Sequence, residues 1–149
     1  NPEIQLHMIG KLQTNKVKYA VKLFDYIHSL DSIKLAEKIS SEQIKLNKNL
    51  NIFIQINIAN EPQKSGIKIE DLENFYKICT DKLKLNIVGF MCLPPADVDS
   101  SENFKIIQKL TEKFKTKELS IGMSSDYLIA VKFGATFLRI GSKIFGERS

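Results

Sequence analysis

Several residue types and patterns are scarce in the 149-residue sequence, and each absence excludes a class of protein. No apolar run reaches the roughly 18 residues of a membrane-spanning helix, and no signal peptide is recognisable. Only two cysteines occur, Cys79 and Cys92, without the spacing of a metal site. We therefore expect a cytoplasmic protein with reduced thiols, no bound metal and no membrane partner.

Arginine is also rare, since Arg139 and Arg148 are the only two and lysine supplies nearly all of the positive charge behind a net charge of +5. The lysines are scattered over predicted helix faces, which is typical of a solvated surface. We expect no specific nucleic-acid binding from such a diffuse pattern. The composition, 43% hydrophobic and 26% charged, indicates a folded globular protein, and residues 1–149 fit one domain by size.

Six apolar segments that alternate with amphipathic helices predict an α/β fold. Strict alternation predicts a parallel sheet with helices outside. No segment is followed by Gly-x-Gly-x-x-Gly, which argues against an open dinucleotide-binding sheet. Because a (β/α)₈ TIM barrel needs eight units and about 250 residues, six units predict a barrel that lacks two. The predicted strands lie at residues 4–9, 26–30, 52–58, 86–92, 118–122 and 136–140.

The third predicted strand shows which face of the sheet carries polar groups. The isoleucines of the segment 52–58 fall on one face, and Phe53, Gln55 and Asn57 fall on the other. An aliphatic face opposite two amides favours a barrel, with the aliphatic residues against helices and the amides lining the interior near a site.

Two turns near the C-terminus combine glycine with hydroxyl side chains. Gly122 precedes Ser124 and Ser125 after the fifth predicted strand, and Gly141 precedes Ser142 after the sixth. Glycine allows close backbone approach to a ligand, and the free N–H groups at the start of a helix attract anions. The pair predicts two adjacent phosphate-binding turns, although either pattern alone is more often only a helix cap or a turn.

A short helix at residues 126–133 is predicted between these turns. Ser124 or Ser125 is expected to be its N-cap, and Gly134 its left-handed stop. Four apolar residues are expected to cover the sheet: Leu128, Ile129, Val131 and Phe133.

Arg139 strengthens the case for a ligand site. With a period of two, Phe137 and Arg139 share one face of the last strand, and Leu138 and Ile140 share the opposite, packed face. An unpaired buried cation is costly, so a carboxylate or an acceptor on a ligand is expected to meet the guanidinium.

The motifs of the chain, taken in order, resemble those of the pyridoxal phosphate homeostasis proteins, which are similar to the barrel domain of alanine racemase. The resemblance covers the whole chain. It is carried by the segment from His7 to Lys16, by Ile54–Ile58 with Lys64-Ser65-Gly66, by Ser120–Asp126, and by Arg139–Ser142 with Ile144-Phe145-Gly146.

This resemblance implies a barrel that carries pyridoxal 5′-phosphate, acts in vitamin B6 and amino-acid homeostasis without catalytic turnover, and is monomeric at full length. It places the cofactor phosphate against Ser124 and the backbone of Met123, Gly141 and Ser142. It places Arg139 at the pyridine nitrogen. Asn57 and His7 would line the ring or its oxygen, with a packed histidine as an equal alternative for His7.

The chain departs from the family pattern at its start. The family's Schiff-base lysine lies on the first barrel strand, and neither that motif nor the one on the following strand occurs here. We therefore expect no catalytic residue and a barrel without its first two units. Two alternatives stay open: a barrel enzyme, such as an amino-acid racemase or one acting on a phosphorylated small molecule, and a fragment without function. Tyr127 is a poor acid or base for such an enzyme because it points into a helix.

Overall fold

The computed structural model describes residues 3–147 and shows a six-stranded parallel sheet in which each strand pairs with its successor. The predicted parallel alternation is confirmed, including the pairing of the third strand with the fourth. Asn1, Pro2, Arg148 and Ser149 lie outside the described residues. The strands are β1 (His7–Met8), β2 (Tyr26–Leu30), β3 (Asn51–Ile56), β4 (Asn86–Cys92), β5 (Glu118–Met123) and β6 (Phe137–Arg139).

Helical segments connect these strands and carry amphipathic faces that pack on the sheet. The α-helices are α1 (Val17–Leu23), α2 (Ile33–Leu46), α3 (Leu72–Lys77), α4 (Ser101–Phe114), α5 (Tyr127–Lys132) and α6 (Ser142–Phe145). Two 3₁₀ turns, Thr14–Lys16 and Ile69–Asp71, precede α1 and α3, and a π-helical segment, Ile78–Lys82, follows α3.

One face of the sheet forms the aliphatic core against the helices. The β3 isoleucines Ile52, Ile54 and Ile56 are buried in one cluster with Ile39 of α2 and Leu72 of α3. Fully burying a side chain of this kind contributes about 1.5–3 kcal/mol. The predicted split of β3 is therefore found, with the isoleucines toward the helices.

The opposite face is lined by aromatic rings. Phe53 of β3 stacks on His28 of β2 with centroids 4.3 Å apart, and His7 of β1 stacks on Tyr26 at 4.2 Å. The ring of Phe137 on β6 lies 5.5 Å from that of His7. Because the first and last strands of the sheet meet through these side chains, the sheet curves around an interior as a barrel wall does.

One strand boundary near the N-terminus differs from the prediction. The first strand forms a ladder only at His7–Met8, because the carboxylate of Asp25 accepts the Leu6 N–H at 2.8 Å just before it. The residue that caps α2 is Ser32, whose hydroxyl accepts the Leu35 N–H at 3.2 Å. The adjacent Asp31 instead binds the Gly66 N–H at 3.2 Å, which ties the end of β2 to a loop.

The predicted packing of α5 is wrong in part. Leu128 and Val131 are 65% and 54% exposed, and the fully buried residue is Ala130. Asp126 stands at the N-cap position, so neither predicted serine is the cap of this helix. Gly134 has the expected left-handed conformation, with φ of 86°.

No helix within residues 3–147 is long and apolar enough to cross a membrane. In the same part of the chain, no group of three or more His, Cys, Asp or Glu side chains is placed to hold a metal ion. Cys79 and Cys92 are buried free thiols, and burial raises the pKa of each to about 12.

Candidate functional site

A cleft of about 970 Å³ lies where the carboxyl ends of β4, β5 and β6 meet. In parallel α/β structures this edge of the sheet holds the ligand sites, because loops from several strands converge there. The cleft is lined by the segment Pro94–Ala96 after β4, by Gly122–Asp126 after β5, and by Arg139, Gly141 and Ser142 after β6. The two turns predicted to bind phosphate therefore face the same space.

Asp126 fixes the turn after β5. One carboxylate oxygen accepts the Met123 N–H at 2.7 Å, and the other accepts the Ser100 hydroxyl at 2.7 Å. The Met123 N–H, which was predicted to face a phosphate, thus has a protein partner here. Asp126 joins this turn to the residue just before α4 and holds the edge of the cleft.

Ser124 joins the two turns directly. Its hydroxyl oxygen accepts the N–H groups of Gly141 and Lys143, each at 3.3 Å. The segment after Gly141 is a short helix, Ser142–Phe145, in place of the predicted simple turn. Ser124 therefore contacts N–H groups of the kind that an anion would bind. A Cβ at Gly141 would meet no atom within 4 Å, so the backbone there borders open space.

Arg139 closes the floor of the cleft. Its Nη2 donates to the Cys92 carbonyl at 2.8 Å, while the buried Nε has no hydrogen-bond partner among the described residues. Burial lowers the pKa of this guanidinium, and Cys92 and Asp126 oppose that effect. Within residues 3–147 no carboxylate lies within 4 Å of it. Of the two predicted partners, the carboxylate is therefore not found among the described residues, and the Nε–H is a buried donor without an acceptor.

A hydrogen-bonded chain of three side chains lies behind the cleft. His7 Nδ1 is 2.9 Å from His28 Nε2, and His28 Nδ1 is 2.8 Å from the Ser120 hydroxyl. Burial lowers the pKa of His28 to about 3, with His7 and Arg139 acting in the same direction. Sequence reasoning missed His28 and Ser120. A period of two from Tyr26 would have placed His28 on the interior face.

The sequence over residues 3–149 matches the family described as alanine racemase, N-terminal domain. A pyridoxal phosphate homeostasis protein from Aquifex aeolicus (strain VF5) is 34% identical over 155 residues, which cover 98% of this chain and 68% of that protein. The chain belongs to the pyridoxal phosphate homeostasis protein family. The family resemblance drawn from the motifs is confirmed.

Structures of PipY of Synechococcus elongatus PCC7942 have the same fold. PipY without PLP matches with a TM-score of 0.90 at 32% identity, covering 98% of this chain and 73% of PipY. PipY with PLP bound matches with a TM-score of 0.84 at 32% identity, covering 97% and 72%. An alanine racemase of Clostridium difficile 630, only 16% identical, shares the fold with a TM-score of 0.73 and covers 98% of this chain and 41% of the racemase.

The chain spans about two thirds of the length of the pyridoxal phosphate homeostasis proteins that it matches. The share is 68% for the Aquifex aeolicus protein and 65% for that of Escherichia coli (strain K12). No lysine occurs in any of the six described strands. A lysine that reaches the barrel interior from a strand is therefore absent from the part of the chain that the structure describes.

Asn57 has a different setting from the one that the family motif suggested. Its side-chain amide donates to the Glu61 carbonyl at 2.7 Å and accepts the Glu61 N–H at 3.1 Å. Gly66 packs against the Asn57 backbone so closely that a Cβ would lie 2.4 Å from the Asn57 nitrogen. Asn57 thus holds the loop after β3 and does not line the cleft described above.

Proposed function

We propose that this chain binds pyridoxal 5′-phosphate in the cleft at the ends of β4–β6 and serves vitamin B6 and amino-acid homeostasis without catalytic turnover. The observation that carries this is Arg139. A buried guanidinium with an unpaired Nε opens onto two turns whose N–H groups are held together by the hydroxyl of Ser124. A small anion with further acceptor atoms fits this donor set.

The two turns supply the groups for the phosphate. Ser124 and Ser142 offer hydroxyls, and the backbone of Gly141 and Ser142 offers N–H groups. The Met123 N–H would bind the phosphate only after leaving the Asp126 carboxylate. The open space at Gly141 permits an anion to approach the backbone there. The Gly141 N–H, whose bond to Ser124 Oγ is long at 3.3 Å, would be one of the donors that hold this phosphate.

Arg139 accounts for the proposed lack of turnover. When bound, pyridoxal phosphate supplies an aldehyde that reacts with amines and a ring that withdraws electrons. A guanidinium beside the pyridine nitrogen disfavours protonation of that nitrogen, because a second positive charge is repelled. With Arg139 in that position, the ring would withdraw electrons less strongly, which would favour carriage over carbanion chemistry.

The other two predicted ligand residues, His7 and Asn57, have different roles in the proposed binding of the cofactor. His7 lines a neighbouring hollow that shares Arg139 and Gly141 with the cleft, so it could reach a ring that extends into that hollow. Asn57 acts through the loop that it holds, because its amide is engaged with Glu61. The proposal thus assigns ring contact to His7 and a supporting role to Asn57.

We further propose that the six-stranded sheet is part of an eight-stranded barrel whose first two strands fit between β6 and β1. The two edges of the sheet are strands of two and three residues, and their rings already meet across the interior. Edge strands present unpaired N–H and C=O groups that further strands can satisfy. The barrel as a whole would be one cytoplasmic domain.

The double variant Ser124→Ala with Ser142→Ala tests the site. Each lost hydrogen bond to a charged acceptor should weaken binding by about 1.5–3 kcal/mol. Titration calorimetry with inorganic phosphate and with pyridoxal phosphate measures both affinities. Ser41→Ala is the control, since Ser41 is an exposed serine on α2 that does not line the cleft. Equal affinities in the double variant and the control would show that the turns are only structural.

A further inference from the structure

The three side chains behind the cleft form a hydrogen-bonded row in which every proton position can be assigned. Ser120 and His28 are 0% and 1% exposed, and His7 is partly buried. The row runs from the Ser120 hydroxyl to His28 Nδ1 and from His28 Nε2 to His7 Nδ1. A neutral imidazole has one donor nitrogen and one acceptor nitrogen, so one assignment at Ser120 determines both rings.

Ser120 must donate. Its hydroxyl has His28 Nδ1 as its single hydrogen-bond partner within residues 3–147, and no solvent reaches it. If His28 donated instead, the hydroxyl hydrogen would be buried without an acceptor, which costs more than an unfilled oxygen lone pair. His28 Nδ1 is therefore the acceptor, and the proton of this ring is on Nε2.

The assignment continues to His7. Since His28 Nε2–H donates to His7 Nδ1, the neutral His7 ring carries its own proton on Nε2. That nitrogen has no partner among the described residues, and His7 lines a hollow next to the cleft, together with Phe137 and Arg139. Stacking on Tyr26 at 4.2 Å keeps the ring in place.

We propose that Ser120, through His28, sets His7 as a neutral Nε2–H donor aimed at an acceptor oxygen on the ring of the bound ligand. The ligand half of this inference rests on the proposed function. Ser120 and His28 are positioning residues, since Ser120 is fully buried and both ring nitrogens of His28 are engaged within the row, although the His28 ring borders the same hollow as His7. In this arrangement, His7 recognises an acceptor oxygen on the ring of the ligand, and the two turns recognise its phosphate.

The charges around His7 also act on its protonation. Burial lowers the pKa of His7, while the carboxylate of Asp25 opposes that effect. Protonating His7 at Nδ1 would also require His28 and Ser120 to reverse their hydrogen bonds, because His28 Nε2–H already occupies that nitrogen. Arg139 on β6 and the Tyr26 hydroxyl are the other charged or titratable groups close to this pair. Loss of the Ser120 hydroxyl should therefore make His7 easier to protonate.

The tautomers can be measured directly, because the chain contains only two histidines. In the protein labelled with ¹⁵N-histidine, long-range ¹H–¹⁵N spectra at pH 7 should show both rings protonated at Nε2. Ser120→Ala should give mixed tautomers and raise the pKa of His7. Ser29→Ala is the matched control, since Ser29 is a buried β2 serine whose hydroxyl has no hydrogen-bond partner among the described residues. An Nδ1–H ring in the unaltered protein overturns the inference.

Titration calorimetry tests the ligand half with pyridoxal phosphate and inorganic phosphate as probes. Ser120→Ala should weaken binding of pyridoxal phosphate about fivefold or more and leave inorganic phosphate unchanged. An unchanged ratio of the two affinities overturns the positioning role. If the spectra show both Nε2–H rings but pyridoxal phosphate does not bind, the proposed function fails and the tautomer assignment stands.

Discussion

His28 is a buried base whose protonation opposes folding. Its pKa in the folded protein is about 3, whereas an unfolded histidine has its ordinary value near 6.5. Between those values the unfolded chain binds a proton that the folded chain does not, so stability rises with pH in this window and is lost as pH falls.

The expected loss between pH 7 and pH 5 is about 2 kcal/mol from His28 alone. Urea unfolding at the two pH values measures it, with His28→Gln as the comparison. The lowered pKa of His7 acts in the same direction, so some loss should persist in His28→Gln. If His28→Gln lost as much stability between pH 7 and pH 5 as the original protein, this account would be contradicted.

For single residues, the sequence was sufficient to predict the position of the Arg139 side chain but not the hydrogen bonds of Ser124. A period of two and the cost of a buried cation predicted an interior guanidinium, and local strand geometry determines that outcome. The bonds of Ser124 to Gly141 and Lys143 span 17 and 19 residues of sequence. Such bonds depend on how β5 and β6 are brought together, which no local pattern encodes. The cofactor contacts predicted for both residues stay predictions.

The unit of β5, α5 and β6 depends on a close approach at Gly122. This glycine has φ of 94°, and a Cβ there would lie 2.6 Å from the Ala130 Cβ on α5. Gly122→Ala therefore adds overpacking, which typically costs about 1–3 kcal/mol, to the cost of a left-handed alanine. Displacement of α5 would also move the turn that lines the cleft.

Gly134→Ala separates the two costs. Gly134 has φ of 86°, and its nearest atom to an added Cβ is 3.9 Å away. We expect a loss of about 1 kcal/mol there, from backbone strain alone. Chemical denaturation of both variants measures the difference. Equal losses would mean that α5 shifts without cost to make room at Gly122.

At the scale of elements, the alternation of strands and helices was predictable because each element shows its own hydrophobic period. Which residues of α5 face outward was not predictable in this way. Leu128 and Val131 are apolar yet exposed, because this six-residue helix approaches the sheet at Gly122 through Tyr127 and Ala130. The four-residue helix α6 was also missed, since it is too short to show a period.

On the scale of the whole molecule, the sheet has two edges that face each other. β1 and β6 pair on one side only, with β2 and β5. The aromatic interior between them is closed by side chains such as His7 and Phe137 and not by backbone hydrogen bonds. Under the proposed eight-stranded barrel, two further strands would satisfy these edges and give the interior its missing wall.

The same geometry predicts how pyridoxal phosphate can attach. Covalent attachment requires a lysine at the barrel interior facing Ser124 and Arg139, and no described strand contains a lysine. We therefore expect the 149-residue chain to form no stoichiometric adduct. Extending it with the N-terminal region of a longer relative should restore both attachment and stability.

Borohydride reduction followed by intact mass measurement tests attachment in both chains, with the urea-unfolded chain as the control for random lysine modification. A stoichiometric pyridoxyl adduct on one lysine of the 149-residue chain would contradict the chemical argument. Sedimentation and thermal melting test the edges. Because exposed strand edges and apolar surface favour association, we expect the 149-residue chain to aggregate or melt broadly. A monomer that melts cooperatively would show that six strands suffice for a stable fold.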